Sequence, residues 1–186
     1  MTRVIAGSAR GRKLLTPEGQ GTRPTTDRNR EALFGMLQFD IPGAKFLDLF
    51  AGSGAIGIEA LSRGAASLDL VEAESSALRC IRTNLKSLSF EEKSKVWAMD
   101  VEKALLQLKE AGSRFDFIFM DPPYLKGWEE KIANIISEYG LLESDGVLII
   151  ESSSETKVQA RGLTLIKEKT YKTTRFSFWK EERSKS

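Results

Sequence analysis

The run Lys45–Gly57, KFLDLFAGSGAIG, constrains this chain more than any other stretch. Phe46-Leu47-Asp48-Leu49-Phe50 has the length and apolar density of a buried strand, and it leads directly into glycines at the start of a helical pattern. Glycines at such a turn let the backbone approach a ligand closely, and the helix start offers unpaired N–H groups. This is the local pattern of a nucleotide-type binding corner.

The pattern then alternates. Ser67–Glu72 reads as a strand, and Ser75–Leu88 as a helix with Leu78, Ile81, Leu85 and Leu88 at helical spacing. A strand near Lys95–Met99, a helix over Val101–Ala111 and the apolar strand Phe115–Met120 follow. A helix near Trp128–Glu138 is expected to bury Ile132, Ile135 and Ile136, with Val147–Ile150 a further buried strand. Leu163–Tyr171 and Arg175–Trp179 then read as two strands joined by the polar turn Lys172–Thr174. Repeated strand–helix units predict a doubly wound α/β domain with a parallel sheet, and the terminal hairpin predicts one antiparallel strand at its edge.

Ahead of this core, Arg3-Val4-Ile5 and Lys13-Leu14-Leu15 flank a basic, glycine-bearing tip and predict a small hairpin. Gly19–Pro24 reads as loop. Thr25, Thr26 and Asp27 offer N-caps for a helix to about Phe39 that buries Leu33, Phe34 and Leu37. A length of 186 residues suits one domain. Residues 1–40 would form its basic extension and 41–186 its ligand-binding core.

Composition narrows the chemistry. The chain has no histidine and one cysteine, Cys80, which excludes Ser-His-Asp triads, Cys-His pairs, imidazole metal sites and an internal disulfide. The expected reaction is therefore metal-free and uses carboxylates, backbone groups, aromatics and a bound cofactor. No apolar run approaches the roughly 20 residues that span a bilayer, and the first residues lack the apolar segment of a secretory signal, so a cytoplasmic protein is expected. The formal net charge is +2, yet residues 1–30 hold seven Arg/Lys against two acids and residues 167–186 hold seven against three. Basic ends around an acidic middle point to a polyanion partner.

Gly52-Ser53-Gly54-Ala55-Ile56-Gly57 satisfies G-x-G-x-x-G, and Glu72 closes the next strand, as in a dinucleotide fingerprint. Asp48 argues against a pyrophosphate, which would repel it. A carboxylate inside a strand is costly without a cationic or N–H partner. A cofactor with a cationic amino-acid end and no phosphate fits better, and S-adenosylmethionine is such a molecule; the alternative is an acid that bonds only loop amides. Glu72 has the two oxygens a ribose diol requires. Asp100 and the Val101 N–H are candidates for adenine, although Asp100 reads equally as a helix N-cap. Phe50, Ala51, Ser53 and Ala73 complete the expected cofactor contacts.

Asp121-Pro122-Pro123-Tyr124 ends the Phe115–Met120 strand. Prolines donate no N–H, so this turn presents carbonyl oxygens and one carboxylate in a stiff frame. Asp121 and the Pro122 carbonyl could bind both hydrogens of an exocyclic base amine and aim its lone pair at a methyl sulfonium. Tyr124 would stack on the base, a contact worth roughly 1–3 kcal/mol.

These motifs make the sequence recognisable. It resembles the class I S-adenosylmethionine-dependent amino-methyltransferases and, more closely, the bacterial 16S rRNA guanine-N2 methyltransferases. The resemblance rests on Arg10-Gly-Arg-Lys13, the run Arg23-Pro-Thr-Thr-Asp-Arg-Asn-Arg-Glu31, Phe50–Gly54 and Asp121–Tyr124, and it spans nearly the whole chain. One departure is Lys172-Thr173, where several relatives carry Asp or Gly after the tyrosine. The resemblance implies a seven-stranded Rossmann-like sheet ordered 3-2-1-4-5-7-6, with strand seven antiparallel. It also implies a monomer acting on 16S rRNA in the small subunit or a late assembly particle. Arg10, Arg12, Lys13, Arg23, Arg28 and Arg30 would then grip phosphates. Two rivals share these features: an adenine-N6 methyltransferase using the same turn, and a non-catalytic RNA-binding assembly factor. An NAD-dependent oxidoreductase ranks behind both, because no hydride-site acid or base accompanies the fingerprint.

Overall fold

The computed structural model describes residues 1–18, 25–123 and 127–182; Arg23 and Tyr124 of the expected site lie outside them. The chain divides into two units, Met1–Val101 and Glu102–Ser186.

In the first unit, β1 (Thr2–Arg3) and β2 (Lys13–Leu14) pair antiparallel as a short hairpin. Helix α1 (Asp27–Leu37) is capped by Thr26, whose hydroxyl accepts from the Asn29 N–H at 3.2 Å. Its buried face carries Leu33, Phe34 and Leu37 as expected, and also Arg30. Three strands follow: β3 (Lys45–Leu49), β4 (Ser67–Glu72) and β5 (Ser94–Ala98), all mutually parallel along β3–β4–β5. Between them run α2 (Ala55–Ser62) and α3 (Ser75–Ser87), with a single 3-10 turn at Glu91–Lys93. Phe46, Leu47, Leu49, Leu68 and Leu70 are fully buried. Apolar residues on both faces of β3 and β4, interrupted by Asp48 and Asp69, suit strands that are covered on both sides.

The second unit begins within α4 (Val101–Glu110) and contains β6 (Phe115–Met120), α5 (Trp128–Tyr139), β7 (Leu142–Ser153), β8 (Leu163–Tyr171) and β9 (Thr174–Glu181). β6 and β7 are parallel; β9 runs antiparallel to both β7 and β8. The seven strands of the mixed sheet are ordered β5-β4-β3-β6-β7-β9-β8. Numbered within the sheet alone, this is the expected 3-2-1-4-5-7-6 order.

Three details depart from the sequence reading. β7 starts at Leu142 rather than Val147, because a register irregularity between Phe115 and Phe117 lets Leu142 pair with Phe115 across a polar stretch. Gly146 belongs to that stretch, and a Cβ there would lie 2.8 Å from the Phe115 carbonyl oxygen. Ile135 is only half-buried, and Ala133 takes the core position instead. At the β8–β9 turn, Lys172 has φ 55°, which costs an L-residue with a Cβ and suits Gly or Asp at the equivalent position. β8 itself is exposed along most of its length and alternates charged residues, which protects a sheet edge from further pairing.

The hairpin is seated on α2 by a dense set of bonds. Ser8 N–H donates to the Ser62 carbonyl at 2.7 Å, Ala9 N–H to Ser62 Oγ at 2.9 Å, and Ser62 Oγ–H to the Ala6 carbonyl at 2.6 Å. Glu59, fully buried, accepts the N–H groups of Ile5 and Ala6 at 2.9 and 3.0 Å. Gly7 makes this possible: at φ 84° it passes so close that a Cβ would sit 1.8 Å from the Ser62 carbonyl oxygen. Gly7→Ala should therefore unseat the hairpin and cost about 2–4 kcal/mol, from the left-handed backbone and the overlap together. Limited trypsin digestion at Arg10, Arg12 and Lys13 should accelerate several-fold; an unchanged cleavage rate would show that this contact does not hold the hairpin.

Candidate functional site

Glycines set the corner between β3 and α2. Phe50, Gly52 and Gly54 all have positive φ, at 55°, 58° and 79°, so the chain turns sharply before α2 begins. The helix N-cap is Gly54, which has no side chain to cap with. Asp48 takes that role from within β3: it is 1% exposed, and its Oδ2 accepts the Gly57 N–H at 2.9 Å. Gly57 lies so close to β4 that a Cβ would meet Leu68 Cδ1 at 2.5 Å and Asp48 Oδ2 at 3.2 Å. Asp48 thus bonds a backbone amide of the first turn of α2 rather than a loop amide. Burial raises the Asp48 carboxyl well above the usual carboxylate range; the Gly57 bond opposes this, and the Glu72 charge adds to it.

Glu72 is bonded more heavily than the sequence suggests. Oε2 accepts the Gly52 N–H at 2.8 Å, and Oε1 accepts the Ala73 and Glu74 N–H groups, each at 2.8 Å. Of roughly four acceptor positions on a carboxylate, three are filled by backbone. The remaining one, on Oε2, can take a hydroxyl; a diol bound through both oxygens would have to share with an amide. A Cβ on Gly52 would meet nothing within 4 Å, so a ligand can come close to this backbone. Ala51 donates its N–H to the Val71 carbonyl at 3.0 Å, which ties the turn to β4.

Asn84 on α3 is a residue the sequence reading missed. It is 1% exposed, donates to the Ser53 carbonyl at 3.0 Å, and bonds both the N–H and the carbonyl of Leu15, at 2.8 and 3.0 Å. One amide thereby fastens the glycine turn and the chain leaving the hairpin to α3. The available signal was an asparagine three positions after Ile81, within the apolar stripe. Asp100 is exposed and directly precedes α4, whose first residue Val101 is 5% exposed.

In the second unit, Asp121 is half-buried, Pro122 buried and Pro123 exposed, directly after β6. Among the described residues no cluster of three or more metal-ligating side chains exists, and no helix is long and apolar enough to cross a membrane.

The basic candidates separate. Arg10, Arg12, Lys13 and Arg28 are exposed on the extension, and Arg12 Nη2 also donates to the Ser87 carbonyl at 2.8 Å. Arg30 is a correction. At 1% exposed it cannot reach a phosphate: its guanidinium lies 3.8 Å from Glu59 Oε2 and 3.1 Å from Asp27 Oδ1, and it donates to the Arg3 carbonyl. Desolvation lowers its pKa, while Glu59 and Asp27 oppose the shift. A helical arginine facing the core satisfies the buried Glu59 that seats the hairpin, so its charge is spent inside.

The raised pKa of Asp48 has a signed consequence for stability. A folded-state pKa above the unfolded one means that ionisation opposes folding; the penalty fades as pH falls through the folded value toward the ordinary carboxylate range. Asp48→Asn keeps an acceptor for Gly57 and removes the charge. It should raise the melting temperature of the ligand-free protein near neutral pH by ~2–4 °C, about 1 kcal/mol, and flatten its pH dependence. Scanning fluorimetry between about pH 8 and 5 reads both effects; a clear drop in melting temperature at neutral pH would show that the ionised carboxylate stabilises the fold.

Comparison with known proteins gives this geometry a family. The model described as "Conserved hypothetical protein 95" matches residues 2–180. Ribosomal RNA small subunit methyltransferase D of Escherichia coli (strain K12) is 39% identical over 153 residues, covering 82% of this chain and 75% of that protein. The solved structure of yhhF from Escherichia coli, described as a candidate methyltransferase, superposes with a TM-score of 0.85 at 36% identity, covering 98% of this chain and 99% of that one. SMU.776, solved in complex with SAH, shares the fold at a TM-score of 0.65 and 14% identity, covering 81% of this chain and 48% of that one. With its glycine corner, its Asp121-Pro122-Pro123 turn and its seven-stranded order, the chain belongs to the "Conserved hypothetical protein 95" family, alongside the ribosomal RNA small subunit methyltransferases D.

Proposed function

We propose that residues 1–186 form one methyltransferase domain that moves a methyl group from S-adenosylmethionine to the exocyclic N2 of a guanine in 16S rRNA of the small ribosomal subunit. The observation that carries the reading is the pair of strand ends: β3 runs into a glycine turn beside a buried carboxylate, and β6 runs into an acceptor-only Asp-Pro-Pro turn. The name of the Escherichia coli relative supports the small-subunit rRNA assignment.

S-adenosylmethionine supplies an electrophilic methyl group on a sulfonium. The corner suits it because Asp48 and Glu72 place carboxylates, which would repel a pyrophosphate, beside the glycine turn. Asp48 holds the amino-acid end electrostatically, Glu72 takes a ribose hydroxyl, and Asp100 with the Val101 N–H meets the adenine. Asp121 and the Pro122 carbonyl bind the two hydrogens of the target amine, which draws its nitrogen toward tetrahedral geometry and localises its lone pair. As positive charge develops on that nitrogen, the fixed Asp121 carboxylate stabilises it, and the proton then leaves to water. Tyr124 stacks on the base. Arg10, Arg12, Lys13, Arg23 and Arg28 contact phosphates, so the extension reads RNA shape rather than base edges.

Two measurements test this. Small subunits from a strain lacking the protein, incubated with labelled cofactor, should yield N2-methylguanosine on nucleoside mass analysis; N6-methyladenosine or no label would overturn the assignment. Asp121→Ala should lower turnover by at least ~10²-fold while leaving cofactor affinity within a few-fold; near-normal turnover would remove Asp121 from the chemistry. For the extension, Arg10→Ala, Lys13→Ala and Arg28→Ala should each reduce the slope of log affinity against log salt by about 1. Arg30→Ala should instead destabilise the fold, and its effect on binding should not scale with salt.

A further inference from the structure

The terminal hairpin sorts its charges by face. Residues 157–180 hold seven Arg/Lys against one acid, Glu168. Residues directly opposite in an antiparallel ladder share a face. The β8–β9 register sets Glu168 opposite Ser177 and Thr170 opposite Arg175. On that face Arg175 is already engaged: its guanidinium lies 3.7 Å from Glu168 and donates to the carbonyls of Ser154 and Thr156, the latter at 3.0 Å. The other face carries Lys167 opposite Phe178 and Lys169 opposite Phe176. Both rings are buried while both lysines are exposed, with Lys167 Nζ 5.8 Å from the Phe178 ring centroid. Two residues along such a strand are about 6.8 Å apart. Lys172 adds a third exposed cation at the turn, where its φ of 55° strains an L-residue. Among the described residues none of these three lysines has an acidic partner, whereas Lys180 lies 3.8 Å from Asp145.

We propose that Lys167, Lys169 and Lys172 form a second rRNA-binding surface, on the unit that does not carry the basic extension. The inference rests on the rRNA reading above and adds where else the substrate is held. β8 ends the sheet order, so no strand pairs along its outer side. Charge along an edge discourages further pairing, and acids and bases mixed on each face would serve that end. Here the acid and its arginine take one face and the uncompensated lysines take the other. Like charges held together repel, and a phosphate backbone that neutralises them releases its counterions, which favours binding. Lysine suits that partner, because its ammonium is a point charge on a flexible stem and needs no base-specific geometry. The strained backbone at Lys172 is retained where the cation meets solvent, as expected of a position kept for contact.

The test measures binding of the full chain to small-subunit particles from a strain lacking the protein, as a function of potassium chloride concentration. Lys167→Gln/Lys169→Gln should lower the slope of log affinity against log salt by about 1.5–2 and weaken binding at physiological salt roughly tenfold or more. Lys172→Gln, outside both strands, should lower the slope by about 1 and tests the surface independently of strand stability. In turnover the double variant should raise KM for particles by a similar factor with kcat unchanged, since phosphate contacts are alike in ground and transition states. Lys167→Glu/Lys169→Glu keeps the edge charged and should bind more weakly still. If the lysines only guard the edge, this charge-reversed variant will match wild type in affinity and slope, which overturns the proposal. Weaker binding with an unchanged salt slope, or a fall in kcat alone, also overturns it. Failure of wild type to form N2-methylguanosine would instead remove the methyl-transfer reading, while the salt slopes would still report on the lysines.

Discussion

The bond from Asp48 to the Gly57 N–H is the constraint on which the first unit depends. It joins the middle of β3 to the first turn of α2, and it requires glycine at position 57 because β4 presses against that turn. The same contact that orients the helix start holds a carboxylate against its preference for water, with the Glu72 charge nearby. Such an arrangement costs stability in the folded state. Glu72, held by three backbone N–H groups, keeps the turn open around Gly52.

The basic extension is attached by the same means. Glu59 accepts two N–H groups from the hairpin, pairs with Arg63 at 2.8 Å and faces Arg30. A buried acid that meets two arginines and two hairpin N–H groups fixes the hairpin's register, whereas an apolar contact would hold it without specifying it. Asn84 adds the complementary link between the hairpin's exit and the glycine turn. The extension that carries the exposed cations is therefore coupled to the corner through side chains, and only cations outside this network remain available to a polyanion.

Much of this was legible in the chain. Ser67–Glu72 and Phe115–Met120 have the strand limits that their mainly apolar runs predict, since such runs suit strands covered on both faces. Thr26 caps α1, and the sheet follows the anticipated order. Where reading failed, the cause was non-local. β7 begins five residues early because an irregular register with β6 recruits a polar stretch no periodicity could assign. Arg30 carries the same motif residue whether it faces solvent or Glu59, and only the packing of α1 against the acid on α2 separates the two.

The sequence by itself determined the alternation of strands and helices, the glycine corner and the acceptor turn, because periodicity and turn chemistry act over a few neighbouring residues. Tertiary structure decided which charges are spent and which are presented: Arg30 is withdrawn into the core while Arg10, Lys13 and Arg28 stay outside. It also decided that Asn84 reaches Leu15, 69 residues away. Burial and strand register depend on partners distant in sequence, and the free energy of a charge depends on both.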